Sequence, residues 1–324
     1  PFTAAELAVL QAEARARDYG FLHFPGQPAR LSEAFLSDPR MRRAAGEVRH
    51  FDAFFAAPDK RAFVNRYYFD VSAPTDDRPF FFELYRWRHI LDRESFVGVA
   101  GITGHGILLL LFAELVVLSS VFVVVPLWVL RRRHLRVSGR TPMLVYFSAL
   151  GLGYMLVEIV LSQRFILFLG HPVYALSVVL SGLLVFSGLG SLAAGRLGLH
   201  GTASQRLAIL GVLVVGTAYV FGLPPLFARF LEAEAAFRVV TSFVLLAPLG
   251  FLMGMPFPLG ILRLKEQGPL VAWAWGVNGY FSVLGSVLSI ILGLALGFTW
   301  VLGIALGVYF VALLTAGGFG RAAS

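Results

Sequence analysis

The sequence contains no cysteine, and this absence excludes disulfide bonds, thiolate metal sites and cysteine nucleophiles. Charged residues are also scarce, since only 14% of the 324 residues are Asp, Glu, Lys or Arg. Soluble domains have roughly 25% charged and 45–50% apolar residues, whereas 57% of this chain is hydrophobic. The composition therefore predicts a membrane protein.

Acidic residues are fewer than basic ones, 19 against 27, which gives a net charge of +8. Five of the basic residues directly follow an apolar run, where topology signals occur: Arg131, Arg132, Arg133, Arg136 and Arg140. We therefore expect a lipid bilayer as partner and no nucleic acid. The seven histidines are scattered without metal-ligand spacing, so we predict no metal site and no catalytic residue.

Long apolar runs begin after residue 105, and a membrane span needs roughly 20 apolar residues. Seven runs fit, at about 106–130, 143–169, 172–195, 206–228, 237–262, 270–296 and 299–318. The second and fifth runs are longer than a bilayer needs, so tilt or a break is expected there. The sequence thus predicts a mainly α fold: a polytopic bundle of about seven transmembrane helices over residues 105–324, preceded by a small α/β tail.

Residues 1–104 have the mixed composition of an extramembrane domain. Thr3 and Glu6 fit a capping box that opens a helix, and residues 21–24 fit a short buried strand. No glycine-rich strand-to-helix turn follows, so no cofactor site is expected in this chain. The chain begins with Pro1, and we expect further sequence before it.

An aromatic segment ends this first region. It follows Asp76 and Asp77, whose position beside Arg78 and Pro79 is typical of a turn. We interpret the segment as an interfacial anchor at the level of the lipid headgroups, formed by Phe80, Phe81, Phe82, Tyr85 and Trp87.

Charges in the short loops predict the orientation. Loops 131–140, 196–206 and 263–268 hold nine Lys or Arg, and the alternate loops hold only Arg229 and Arg238, apart from Arg164 if it reaches outward. The positive-inside rule places the first set and the C-terminus in the cytoplasm. Residues 1–104 are then extracytoplasmic, and the expected location is a bacterial inner membrane.

Several polar residues interrupt the apolar runs, and each is a candidate for an intramembrane site: Glu158, Gln163, Arg164, His171, Tyr174, Asn278 and Glu114. Glu158 lies near the centre of the second span, where a carboxylate costs about 3 kcal/mol. Arg164 lies about 120° around the same helix, so it is a poor partner. Glu158 then forms a packing hydrogen bond to another helix, with Asn278 as one possible partner, or belongs to a substrate or proton site. Arg164 could also reach the interface.

Two stretches of small residues and prolines shape the later spans. A helix break is expected in the fifth span, at Gly254, Pro256, Pro258 and Gly260. It is either a kink without a ligand or part of a midplane site. The sixth span carries a small-residue stripe for close helix packing: Gly279, Ser282, Gly285, Ser286 and Ser289.

Four stretches resemble bacterial spermidine-synthase-like membrane proteins, in which a methyltransferase-type α/β domain is fused to membrane helices. They are SAPTDDRPFFF at 72–82, LGYMLVEIVLSQRFILFLGHPVYALSVVL at 152–180, GFLMGMPFPLG at 250–260 and WAWGVNGYFSVLGSVLS at 273–289. The resemblance implies that residues 1 to about 90 follow an S-adenosylmethionine-type core. No catalytic residue of that core maps onto this chain, so an S-adenosyl-type ligand is implied only with an upstream domain.

Three functions remain open. The chain could be the membrane module of a spermidine-synthase-like protein, acting as scaffold or subunit beside other membrane subunits. It could be a transporter or a polyamine- or lipid-handling protein with a midplane polar site. It could also belong to a membrane-anchored S-adenosylmethionine-dependent transferase with its catalytic core upstream. An extracytoplasmic first region favours the scaffold, and a cytoplasmic one, restored by a re-entrant segment, favours the enzyme.

Overall fold

The computed structural model describes residues 3–19, 31–33, 37, 49–67, 70, 72–80, 86–87, 97–98, 101–102, 104–131, 140–196, 201–264 and 268–319. These residues group into two compact units. The first unit is Pro1–Ala73 with Leu84–Arg86, and the second is Pro74–Glu83 with Trp87–Ser324. The turn that contains Asp76 and Asp77 therefore belongs to the same unit as the membrane helices.

The first unit contains three described helices, α1 (Ala4–Ala16), α2 (Arg49–Ala56) and α3 (Lys60–Arg66). The capping box predicted at the start of α1 is confirmed, because the Thr3 hydroxyl accepts from the Glu6 amide and the Glu6 carboxylate accepts from the Thr3 amide. The Asp59 side chain caps α3 by accepting a hydrogen bond from the amide of Ala62, at 3.0 Å. The strand predicted at residues 21–24 lies outside the described residues.

The second unit begins with an antiparallel pair of two-residue strands, β1 (Val97–Gly98) and β2 (Gly101–Ile102). The first span follows as α4 (Gly104–Ser119), a π-helical turn at Ser120–Val124 and α5 (Val125–Arg131). The other helices are α6 (Arg140–Leu169), α7 (Pro172–Arg196), α8 (Gly201–Phe230), α9 (Ala235–Gly254), α10 (Pro256–Arg263), α11 (Gly268–Leu296) and α12 (Phe298–Thr315).

Seven helical segments are long and apolar enough to cross a membrane, as the sequence predicts. The fold is thus a mainly α, multi-pass membrane bundle. The predicted ends differ by at most five residues, the largest difference being the start of α8 at Gly201 instead of 206. Most of the helices extend further because polar residues such as those at 201–206 continue a helix beyond the hydrocarbon, whereas α12 ends at Thr315 instead of 318. Among the two long spans, α6 is continuous and the fifth is divided between α9 and α10.

The central helix of the bundle is α6. Its apolar window is 56% buried, against at most 33% in the other six spans. It packs against α11, α12 and α7, and its buried side chains include Tyr146, Phe147 and Phe165. Because much of α6 is covered by protein, buried polar side chains on it, such as Arg164, face neighbouring helices.

Close helix packing depends on two glycines between α7 and α9. A Cβ atom on Gly190 would lie 1.9 Å from the Phe251 carbonyl oxygen, and one on Gly254 would lie 2.0 Å from the Ser187 carbonyl oxygen. Both distances are impossible for a side chain, so only glycine allows these backbones to approach so closely.

Candidate functional site

Arg164 lies on α6, five residues before the helix ends at Leu169, and only 8% of its surface is exposed. Its Nη2 donates to the Thr299 hydroxyl of α12 at 2.8 Å. Its Nη1 donates to the Tyr219 carbonyl of α8 at 3.4 Å. The side chain therefore connects three helices and does not extend outward to the interface, which was one of the sequence-based alternatives.

Asp77 approaches Arg164 from a turn that precedes the membrane helices in the chain. It lies in a turn in which the Arg78 amide donates to the Thr75 carbonyl at 2.9 Å. Its Oδ1 accepts from the Thr299 amide at 2.7 Å and from the Thr299 hydroxyl at 2.6 Å. Arg164 Nη2 is 3.9 Å from the same oxygen. We call Asp77, Arg164 and Thr299 the Asp77 cluster.

The Asp77 turn caps α12 from a distant part of the chain. The Asp77 carbonyl accepts from the Phe298 amide at 3.0 Å, and its carboxylate accepts from the next amide. These are the free donors of a helix N-terminus, where a negative charge is favourable. The residue at the cap position itself is Gly297, with φ 90°. Since glycine has no side chain to cap the helix, Asp77 supplies the missing oxygen.

Arg78 complements this arrangement at the end of the preceding helix. Its Nη2 donates to the Ala295 carbonyl near the C-terminus of α11 at 2.8 Å, where a positive charge is favourable. Adjacent acidic and basic residues thus bind the two helix ends that meet at residue 297. The turn at 75–78 is fixed to this corner of the bundle.

A cavity of about 370 Å³ adjoins the Asp77 cluster. Its polar wall is formed by Asp76, Asp77, Arg164 and Thr299. Its apolar wall comes from the ends of α6 and α8, chiefly Leu167, Phe168, Pro224, Phe227 and Leu231. Phe168 and Phe227 stack with ring centroids 4.3 Å apart. The volume lies in the range of small-molecule pockets, roughly 300–1,000 Å³.

Glu158 is half-buried on α6, and the pairing with Asn278 that the sequence allowed is wrong. Asn278 Nδ2 donates instead to the Phe147 carbonyl, at 3.1 Å. Phe147 precedes Glu158 by three turns of α6, so Asn278 lies too far along the bundle. Within the described residues, no side chain forms a hydrogen bond or ion pair with Glu158. Its polar neighbour is Tyr154, one turn earlier, whose hydroxyl lies against Ser187 of α7.

The other predicted polar candidates do not join a common site. Glu114 is exposed on α4, and Gln163 is half-buried on α6. His171 and Tyr174 lie exposed after the Gly170 turn, with ring centroids 5.2 Å apart. These positions, together with Glu158 and Arg164, are spread over the first three spans.

The predicted helix break has a structural role in this bundle. The helix stops at Gly254 and starts again at Pro256, and the Pro256 carbonyl accepts from the Tyr146 hydroxyl at 2.8 Å. A Cβ atom on Gly260 would lie 2.8 Å from the Phe147 ring. Pro256 is the first residue of α10, so this hydrogen bond joins the restarted helix to a buried tyrosine of α6 directly after the break.

Arg263, which the sequence indicates only as a loop charge, forms a second cluster of contacts. Its Nη1 donates to Gln205 Oε1 at 2.6 Å and to the Ala316 carbonyl. Its Nη2 donates to the Phe319 carbonyl, and the guanidinium lies 4.7 Å from the Phe319 ring centroid. We call Arg263, Gln205 and the two carbonyls the Arg263 cluster. An arginine about two turns after a proline break was the available signal.

The aromatic segment is partly described. Phe80 packs against Phe298 with ring centroids 5.6 Å apart, and Trp87 packs edge-on against His105 at 4.3 Å. Phe80 is therefore attached to the protein at the start of α12, and the interfacial anchor stays a prediction. Phe81, Phe82 and Tyr85 lie outside the described residues.

The small-residue stripe divides between two faces of α11. Ser282 and Gly285 face α6, near Gly151 and Met155 respectively, and Ser289 is fully buried. A Cβ atom on Gly279 would meet nothing within 4 Å, and Ser286 bonds its own helix at Val283. A face of period 3.6 contains 278, 282, 285 and 289, so 279 and 286 fall one position outside it.

No group of three His, Asp or Glu side chains that could hold a metal ion occurs in the part of the chain that the structure describes. Comparisons with protein-family models, curated proteins and solved structures found no match.

Proposed function

We propose that this chain is the integral membrane module of a spermidine-synthase-like protein and serves as a scaffold or subunit of a larger membrane assembly. In this proposal the chain carries no catalytic site, and any S-adenosyl-type ligand belongs to a domain upstream of residue 1. The module lies in a bacterial inner membrane, with its C-terminus in the cytoplasm and residues 1–104 outside.

The observation that supports a scaffold is the use of polar groups inside the bundle. Arg164, Tyr146 and Asn278 each donate to an atom of another helix. Arg238 donates likewise from α9 to the Phe168 carbonyl, at 2.9 Å. Polar contacts between helices hold those helices in one arrangement. This pattern favours a static module.

The scaffold proposal is tested on the full-length protein in mild detergent. We expect a particle heavier than one chain by light scattering, with stoichiometric partner subunits or a second copy identified by mass spectrometry. Glu158→Gln should leave that assembly intact, because the structure gives Glu158 no hydrogen bond that holds helices together. A monomer free of partners in both forms would contradict the proposal.

The proposed orientation is tested with single cysteines, since the natural chain has none. Ala12→Cys and Ala203→Cys place a thiol at exposed positions that the proposal assigns to opposite sides of the membrane. A membrane-impermeant thiol reagent applied to spheroplasts should label the first and spare the second until the cells are opened. The reverse pattern would place residues 1–104 in the cytoplasm and would favour the transferase alternative.

Glu158 favours a second candidate, a transporter or a polyamine- or lipid-handling protein with a midplane site. An intramembrane carboxyl without a partner among the described residues is the kind of group that an ion or proton pathway uses. Glu158→Cys would report water at this depth. Labelling of this thiol by a charged reagent supports the pathway, provided that Ser162→Cys, which is 2% exposed, and lipid-facing Leu184→Cys, 69% exposed, stay unlabelled.

A further inference from the structure

The cavity beside the Asp77 cluster lies at one end of the bundle. Three helix ends surround it: α6 ends at Leu169, α8 ends at Phe230 and α12 begins at Phe298. Arg164 is five residues from its helix end, which is about 7.5 Å along the axis. Leu167 and Leu231 in the cavity wall are 38% and 50% exposed, so the cavity opens sideways, where lipid would lie.

Arg164 has hydrogen-bonding capacity that the protein does not use. A guanidinium has five N–H donors, and the structure gives two hydrogen bonds, of which the one to Tyr219 is long at 3.4 Å. The contact with Asp77 Oδ1, at 3.9 Å, is beyond hydrogen-bond length. Remaining donors of a guanidinium on a cavity wall suit the oxygens of a phosphate, which arginine binds through two parallel hydrogen bonds.

Asp76 supplies the opposite charge on the same wall. It is exposed, and within the described residues its carboxylate accepts no hydrogen bond. Asp77 differs, because Oδ1 already accepts from both the amide and the hydroxyl of Thr299. The cavity wall therefore carries the Arg164 guanidinium and two carboxylates, of which Asp77 is bound to Thr299 and Asp76 accepts no hydrogen bond within the described residues. The guanidinium and the Asp76 carboxylate together are complementary to a ligand with a phosphate next to an ammonium.

We propose that this cavity binds a phospholipid with a zwitterionic phosphoethanolamine headgroup. The phosphate oxygens accept from Arg164, and the primary ammonium donates to the carboxylate of Asp76. An acyl chain leaves along the apolar wall, between Leu167 and Leu231. A choline headgroup keeps both charges but has no N–H to donate, and a glycerol headgroup has no positive charge. The cavity thus prefers the primary amine. This site is independent of the scaffold proposal.

Native mass spectrometry tests the preference. The full chain in lipid-free detergent is mixed with equal amounts of phosphatidylethanolamine, phosphatidylcholine and phosphatidylglycerol that have identical acyl chains. We expect the natural protein to retain the ethanolamine lipid about tenfold more than either competitor, the effect of one hydrogen bond between charged groups. Equal retention of the three lipids would overturn the proposal.

Two variants and one control assign the headgroup contacts. Asp76→Asn should lower the preference for ethanolamine to near equality, and its folding is secure because the side chain bonds to no described residue. Arg164→Lys should weaken retention of all three lipids. Glu232→Gln changes a carboxyl at the same end of α8 that is exposed and outside the cavity wall, so it should change nothing. An unchanged preference in Asp76→Asn, or an equal loss in Glu232→Gln, would contradict the assignment.

Soluble glycerophosphoethanolamine distinguishes a lipid from a free headgroup. Because the acyl chain contributes the contacts with Leu167 and Leu231, the soluble compound should not displace the lipid at equal concentration. Displacement at equal concentration would show that the site binds a water-soluble phosphate ester, and the lipid assignment would be wrong.

Discussion

The two ends of α12 are held by opposite charges from distant parts of the chain. Asp77, 222 residues before Thr299, caps the N-terminus, and Arg263 donates to the Ala316 and Phe319 carbonyls just beyond the C-terminus. Each charge has the sign that the helix dipole favours at that end. The last span thus has its dipole complemented at both ends by other segments.

The two ends achieve this in different ways. At the Asp77 end, the capping carboxylate is 38% exposed, lies beside a buried arginine and adjoins a cavity. At the Arg263 end, the arginine donates to neutral acceptors, the Gln205 side chain and two carbonyls, and an aromatic ring covers its face. The first arrangement depends on a balance of charges and can respond to a ligand or to salt. The second depends on backbone acceptors, which do not titrate.

The largest effect is expected at the Arg263 end. Arg263→Met removes the donors to Gln205 and to two carbonyls together, and unpaired groups in a packed helix bundle are costly. We expect a loss of about 3 kcal/mol in the free energy of unfolding, measured as a lower thermal unfolding temperature in detergent. Arg196→Met, an exposed arginine at the end of α7, is the matched control and should change stability by less than about 0.5 kcal/mol.

Gly297→Ala tests whether the Asp77 end depends on backbone geometry. The backbone at 297 has φ 90°, and a Cβ atom there would lie 2.3 Å from Asp77 Oδ2. We expect destabilisation of about 2 kcal/mol in the same thermal assay. Gly303→Ala on α12 has no heavy atom within 4 Å of the new Cβ. It should be neutral or slightly stabilising, and a loss as large as that of Gly297→Ala would contradict this account.

Asp77→Asn tests the negative charge of Asp77 separately from the capping hydrogen bonds of its side chain. Asparagine also accepts hydrogen bonds at a helix N-terminus, but it leaves Arg164 without a carboxylate. We expect a loss of about 1–2 kcal/mol that shrinks as salt concentration increases. Asp76→Asn is the neighbouring control in lipid-free detergent, because this carboxylate accepts no hydrogen bond within the described residues. Equal losses of stability in the two variants would show that the effect does not depend on the contacts of Asp77 with Arg164 and Thr299.

The smallest effect is expected at the start of α1, where a carboxylate also caps a helix N-terminus but is exposed to solvent. The backbone and side-chain hydrogen bonds with Thr3 lower the pKa of Glu6 below its usual 4.5. The folded pKa lies below the unfolded one, so this contribution is present above pH 4.5 and is lost as pH falls through the folded value. The titration of the Glu6 carboxyl carbon by NMR should show the lowered pKa. Thr3→Val should return it towards 4.5, and an unchanged midpoint would exclude the capping box in solution.

The spans could be predicted from the sequence, and the Asp77 cluster could not. Hydropathy decides where a chain crosses a membrane, and the break at residues 254–256 follows from proline chemistry. Contacts between distant segments have no such local signal. Asp77 resembles an ordinary turn residue, and Arg164 shows only that some acceptor is needed. The one local sign was Gly297, a helix start without a capping side chain of its own.

The sequence separation of Asp77 and Thr299 has a consequence during synthesis. Ribosomes add about 5–20 residues per second, so the 222 positions between the two residues take roughly 10–45 s to translate. Until the last span emerges and inserts, Arg164 lacks its hydroxyl acceptor, and Asp77 lacks the helix N-terminus that it caps. A nascent chain stalled before residue 298 therefore exposes an arginine without this acceptor within its bundle. Quality-control proteases could recognise such a chain as unfinished.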